Sequence, residues 1–133
     1  MADQQFERLR RHPTLRFAGA QHQFNLDEVA IKLERELEAG ESGHRQESLY
    51  KRGSTSVSLF LFGHFTRMAP HRVKGAVTIH VLKGHLQVTA EDSAHDLRAG
   101  DLLVLASGVE HGVVAREESR MLLTVNLDTA PVP

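Results

Sequence analysis

Residues 68–84 read MAPHRVKGAVTIHVLKG, and the fold turns on how the second half of that stretch is read. From Ala76 the side chains alternate: Val77, Ile79 and Val81 fall on one side, Thr78, His80 and Leu82 on the other. A period of two is that of a β-strand with one dry face. Lys83-Gly84 carries a tight-turn signal, and Leu86–Ala90 reads as the next strand. Joined by a two-residue hairpin loop, these strands would set Val81 opposite Leu86 and Ile79 opposite Val88. That register gathers Val77, Ile79, Val81, Leu86 and Val88 on a dry face and leaves Thr78, His80, Gln87 and Thr89 on a wetter one. A slip by one residue would mix the two sets, so the pairing is well specified. His80 is therefore expected to point away from the core.

Working outward, Val57–Phe65 is apolar on both faces, so its periodicity does not orient it or His64. His95–Arg98, Leu102–Ala106, His111–Arg116 and Arg120–Leu127 follow, broken by turns at Gly100-Asp101, Ser107-Gly108 and Glu117-Glu118-Ser119. Short strands at regular spacing with glycine turns predict an all-β sandwich or barrel. Ahead of them, a helix is predicted over 25–39. Asn25 is its N-cap, Glu28 falls at the capping-box position, and Phe24 and Val29 have the spacing of a hydrophobic staple. Leu26, Val29, Ala30, Leu33 and Leu37 share one face, and Gly40 supplies the stop. Residues 1–23 form a polar arm with anchors at Phe6, Leu9, Leu15 and Phe17, broken by Pro13. Residues 41–53 read as a connector with a short edge strand near Glu47–Lys51. The expected organisation is an arm, helix and connector over 1–53, packed on a barrel over 54–133.

Composition limits the function classes. The chain has 133 residues, enough for one domain with a full core, and is 41% hydrophobic and 25% charged. A formal net charge of −1 with scattered Lys and Arg offers no footprint for nucleic acid or an anionic membrane. The absence of cysteine removes disulfide and thiolate chemistry. Neither a signal-peptide core nor a run of ~20 apolar residues is visible, so a cytoplasmic location is the expectation. No nucleophile elbow or phosphate loop is present. Nine histidines are the unusual feature. His12, His22, His44, His85 and His95, in the arm, connector and turns, are expected at the surface.

From Ser54 to Leu127 the chain resembles the cupin superfamily, in particular its small single-domain members. The resemblance rests on Val81-Leu82-Lys83-Gly84, on Leu97-Arg-Ala-Gly100-Asp101-Leu-Leu-Val-Leu105, and on Ser107-Gly108-Val-Glu-His111, in that order and spacing. It implies a double-stranded β-helix, a jelly-roll barrel. It also implies where metal ligands would lie. Counting back from Gly84, His71 falls at the first histidine of the family's His-x-His pair. Val73 falls at the second histidine and Val77 at the third ligand. His111 matches the histidine of the second motif, while Ala106 and Ala115 replace its usual proline and frequent asparagine. The metal motif is thus half kept.

Two imidazoles alone seldom hold a metal firmly, and a catalytic site usually has three protein ligands and an open position. The leading expectation is a barrel that binds a small organic molecule in its cavity, with His71 and His111 at the mouth. An alternative is a metal-dependent oxygenase or isomerase using Fe, Mn, Ni, Zn or Cu, held by His71, His111 and, more weakly, His64. A second alternative is a non-catalytic regulatory or interaction module, working through a protein partner because no helix-turn-helix is present. A homodimer is also expected. The outer face of Val57–Phe62 needs cover, and small cupins often dimerise through outer strands.

Overall fold

A computed structural model describes residues 16–36 and 43–129. Among these residues one helix, α1 (Leu26–Glu36), precedes nine strands: β1 (His44–Arg52), β2 (Thr55–Phe62), β3 (Arg67–His71), β4 (Gly75–Lys83), β5 (His85–Ala90), β6 (Ser93–Arg98), β7 (Leu102–Leu105), β8 (His111–Ala115) and β9 (Ser119–Leu127). They form two antiparallel sheets, ordered β1-β2-β9-β4-β7 and β3-β8-β5-β6. Facing each other, these sheets make the jelly roll that the resemblance implied. β1 pairs with β2 along its whole length, from His44 opposite Phe62 to Arg52 opposite Thr55. The sheet therefore begins at residue 44. The strand β3, carrying Pro70 and His71, was not distinguished by the sequence reading.

The predicted faces of β4 and β5 are those observed, but the predicted hairpin is not. Val77, Ile79, Val81, Leu86 and Val88 are all buried in the space between the sheets, with Phe60, Phe62, Leu97, Leu105, Val113 and Met121. Yet β4 pairs with β7 and β9, whereas β5 pairs with β6 and β8. At Lys83-Gly84 the chain crosses from one sheet to the other. Gly84 sits at φ 89°. A Cβ there would overlap the Glu118 carbonyl oxygen and come within 2.8 Å of Ser119 Cα. Only glycine allows the corner to pass this close to the turn before β9. The Ser119 hydroxyl accepts from the His85 amide at 3.0 Å and donates to the Glu117 carbonyl at 2.8 Å, which holds the crossing. Two-residue hairpins instead join β1 to β2 at Gly53-Ser54, with Arg52 opposite Thr55, and β5 to β6 at Glu91-Asp92, with Ala90 opposite Ser93.

β2 is apolar on both faces because it separates two cores. Phe60 and Phe62 point into the barrel, and Leu59 and Leu61 point outward beneath α1. The helix lays Ala30 and Leu33, both fully buried, over Leu49, Leu59 and Leu61, with Leu26, Val29, Val57, Leu82 and Leu122 around them. Its start is capped as predicted, the Glu28 amide donating to Asn25 Oδ1 at 3.0 Å. Phe24 does not bury itself as a staple would. It stays 42% exposed with its ring stacked on His22. The predicted last residues of the helix, Leu37 among them, lie outside the described residues, as do Gly40 and the anchors before Arg16. Of the arm, Phe17 is buried with its ring edge-on to Tyr50 of β1 at 5.9 Å.

On the outer face of β2, Leu59 and Leu61 pack beneath α1 of the same chain. No described helix is long and apolar enough to cross a membrane.

Candidate functional site

His71 and His111 are brought together as direct cross-strand neighbours on β3 and β8. Residues opposite each other in an antiparallel pair share a face. The alternation that buries Val113 and Ala115 therefore turns both imidazoles inward, with ring centroids 4.5 Å apart. His111 is only 4% exposed, and His71 lies over it, half-buried.

Local structure fixes this pairing. β3 carries an irregularity between Met68 and His71. Gly112, next to His111, allows Pro70 to approach: a Cβ there would meet Pro70 Cγ at 3.2 Å. The two loops entering the pair are tied together. The Gly108 amide, at φ 83°, donates to the Val73 carbonyl at 2.9 Å. Arg72 donates to the Gly108 carbonyl at 3.0 Å and pairs with Glu110 at 3.3 Å.

The rings themselves are oriented by the same kind of contact. His71 Nδ1 lies 3.2 Å from the Ala69 carbonyl, and His111 Nδ1 lies 3.0 Å from the Val109 carbonyl. A carbonyl only accepts, so each Nδ1 carries the hydrogen. In the neutral ring this leaves Nε2 of both histidines as an acceptor with a free lone pair. Arg45 Nε is the sole buried side-chain nitrogen or oxygen without a partner among the described residues. His111 Nε2, which has no protein partner either, therefore keeps contact with solvent.

The donor set does not extend to a family-type metal site. Val77 is buried in the barrel core, and Val73 packs against it. Both positions that the resemblance assigns to further ligands are wall, not donors. His64 is not brought to the pair. It lies in the exposed turn after β2, stacked on Phe65 at 4.0 Å, and the Phe65 amide donates to the Ala115 carbonyl. Ala115 is at the other end of β8, four residues or roughly 13 Å from His111 along a strand. Among the described residues, no three His, Cys, Asp or Glu side chains gather as a metal set. The described residues therefore do not fit a three-ligand metal centre.

Other histidines depart from the surface positions expected of them. His44 turns its ring onto Phe60 and Phe62, at 5.6 and 5.8 Å, because it opposes Phe62 on the inner face. His85 has a side chain 18% exposed and lies 3.1 Å from Asp96. His95 is half-buried opposite Val88. Each lies on a strand, where the register overrides the polarity of the neighbouring turn. His80 faces outward, as predicted.

The family of cupin domains matches residues 63–126. No curated protein matches the sequence. Solved structures match the fold. A conserved protein of unknown function from Streptococcus pyogenes is 21% identical, with a TM-score of 0.64 over 74% of this chain and 86% of that one. A cupin superfamily protein from Desulfitobacterium hafniense is 23% identical, with a TM-score of 0.64 over 69% and 84%. KdgF from a Halomonas species is 21% identical, with a TM-score of 0.63 over 72% and 91%. Residues 63–126 thus match the cupin domain family, and the two sheets take the cupin jelly-roll fold.

Proposed function

We propose that this cupin binds a small organic molecule at the mouth of its barrel, through the Nε2 atoms of His71 and His111. The carrying observation is the facing pair itself, 4.5 Å between rings, each Nδ1 anchored on a backbone carbonyl. Two oriented acceptors fit a ligand that supplies donors, such as hydroxyl or ammonium groups. Val73 and Val109, each two residues from a histidine and packed against the core, provide apolar surface for its carbon skeleton. The space between the sheets is filled by buried side chains. The ligand is thus expected at the rim, not in a deep cavity. Hydrogen bonding supports this reading over a metal-dependent enzyme, because the third ligand position is valine.

Long-range 15N–1H correlation spectra of the histidine rings test it directly. A panel of polyols, phenols and amines is expected to move the Nε2 resonances of both His71 and His111. His111→Ala should weaken binding by roughly tenfold or more. Nε2 resonances that ignore every compound would remove the proposal. Stoichiometric, submicromolar binding of Zn2+ or Fe2+ would replace it with the metal reading.

A further inference from the structure

The opposite end of the barrel holds a pocket of about 390 Å³, under the end of α1 and against the turn before β9. Among the described residues, five charged ones line it: Glu34, Arg45, Lys83, Glu118 and Arg120. They are not equivalent. Arg120, with a side chain 17% exposed, is held by Asp27 at 3.4 Å and Glu34 at 3.3 Å. Its charge is matched within the fold. Arg45 and Lys83 make no ion pair or side-chain hydrogen bond among the described residues, and neither does the Glu118 carboxylate.

Arg45 is the informative member. It stands opposite Leu61 on the outer face of the five-stranded sheet, at the edge of the apolar cover that α1 lays over Leu59 and Leu61. A leucine or methionine there would continue the cover. The chain places a guanidinium instead, and its Nε is buried with no acceptor. A buried donor left unmade is costly, and the cost is greater on a charged group. The two Nη atoms are not buried in this way and also lack partners, so the free end of the fork is open to the pocket. Among the described residues, the unmatched charges are two cations, Arg45 and Lys83, against one carboxylate, Glu118.

We infer that this pocket is a second ligand site, selective for small organic carboxylates. The Arg45 fork takes the carboxylate in a bidentate pair, which suits guanidinium geometry. Lys83 adds a second cation at the rim, and Glu118 accepts from a hydroxyl or ammonium group on the same molecule. The low-dielectric surroundings of the Arg45 stem strengthen the attraction relative to a surface arginine. The site is independent of the His71–His111 mouth, since β8 and β4 separate the two ends.

Calorimetry at low salt on the full chain tests the inference, with succinate, L-malate and inorganic phosphate as probes. Succinate or malate is expected to bind, and Arg45→Met to weaken that binding by roughly tenfold or more. Without ligand, Arg45→Met should melt no lower than the parent, because it removes an unpartnered buried donor. His111→Ala should leave succinate and malate binding unchanged. The inference is overturned if neither dicarboxylate binds more tightly than about 10 mM. It is also overturned if phosphate binds better than both, if Arg45→Met leaves their affinity intact, or if Arg45→Met melts lower than the parent.

Discussion

At one end of the barrel, the polar side chains facing inward are held by the fold. His71 and His111 each give Nδ1 to a backbone carbonyl, and Arg72 spans Gly108 and Glu110. At the other end, Arg45, Lys83 and Glu118 line a pocket without partners among the described residues, while Arg120 beside them is doubly paired. The histidine end is thus pre-oriented, with its remaining lone pairs aimed. The arginine end carries charge that the fold has left unmatched. Pre-orientation cuts the ordering cost of binding, and unmatched charge raises the gain on meeting a counter-ion.

The largest expected effect comes from breaking the corner that carries the chain from one sheet to the other, beside the arginine end. Gly84→Val places a branched side chain at φ 89° and against Glu118 and Ser119, a collision that backbone must resolve. A loss above about 4 kcal/mol is expected in urea unfolding, with both sites lost together. A variant of parental stability would mean that the crossing is looser than it looks.

Leu33→Asp separates the two ends. Leu33 is fully buried against Leu49, Leu59 and Leu61, so a carboxylate there should undock α1 and cost about 3 kcal/mol. The charged pocket loses Glu34 and the pairing of Arg120. The histidine pair, on the other sheet, should keep its ring resonances. Disturbed histidines in a still-folded barrel would show that the ends are coupled.

Gly112→Ala is the smallest expected change and acts on the other end alone. Its Cβ would press on Pro70 at 3.2 Å, which a small shift of β3 relieves. About 1 kcal/mol of stability should go, together with a visible move of the His71 Nε2 resonance. Dicarboxylate binding should not change.

Much of this architecture was legible in the chain. The period of two in residues 76–90 assigned inward and outward faces correctly, because burial on one face is a local property of a strand. The 3.6-residue stripe and the Asn25 cap located α1 for the same reason. Partnership between strands was less legible. Lys83-Gly84 has the composition of a hairpin, yet it turns a corner between sheets, whereas the hairpin at Glu91-Asp92 carries no glycine. Turn chemistry specifies a reversal of direction but not the sheet in which the next strand finds its hydrogen bonds. β3 was passed over because Pro70 and an irregular register weaken its pattern. His71 and His111 were found as matched motif positions, but Arg45 was not, since one arginine in a polar connector carries no signal.

The resemblance marked His71 and His111, and the order of polar and apolar residues alone determined the faces of residues 76–90 and where the helix runs. Those are short-range consequences of strand and helix geometry. Only the tertiary structure decided that β4 and β5 belong to different sheets and that α1 rather than another surface covers Leu59 and Leu61. Only it set His71 opposite His111 while His64 went to the far end of β8, and left the Arg45 guanidinium without an acceptor among the described residues. Each of these depends on residues far apart in the chain meeting in space, and no local pattern encodes that distance.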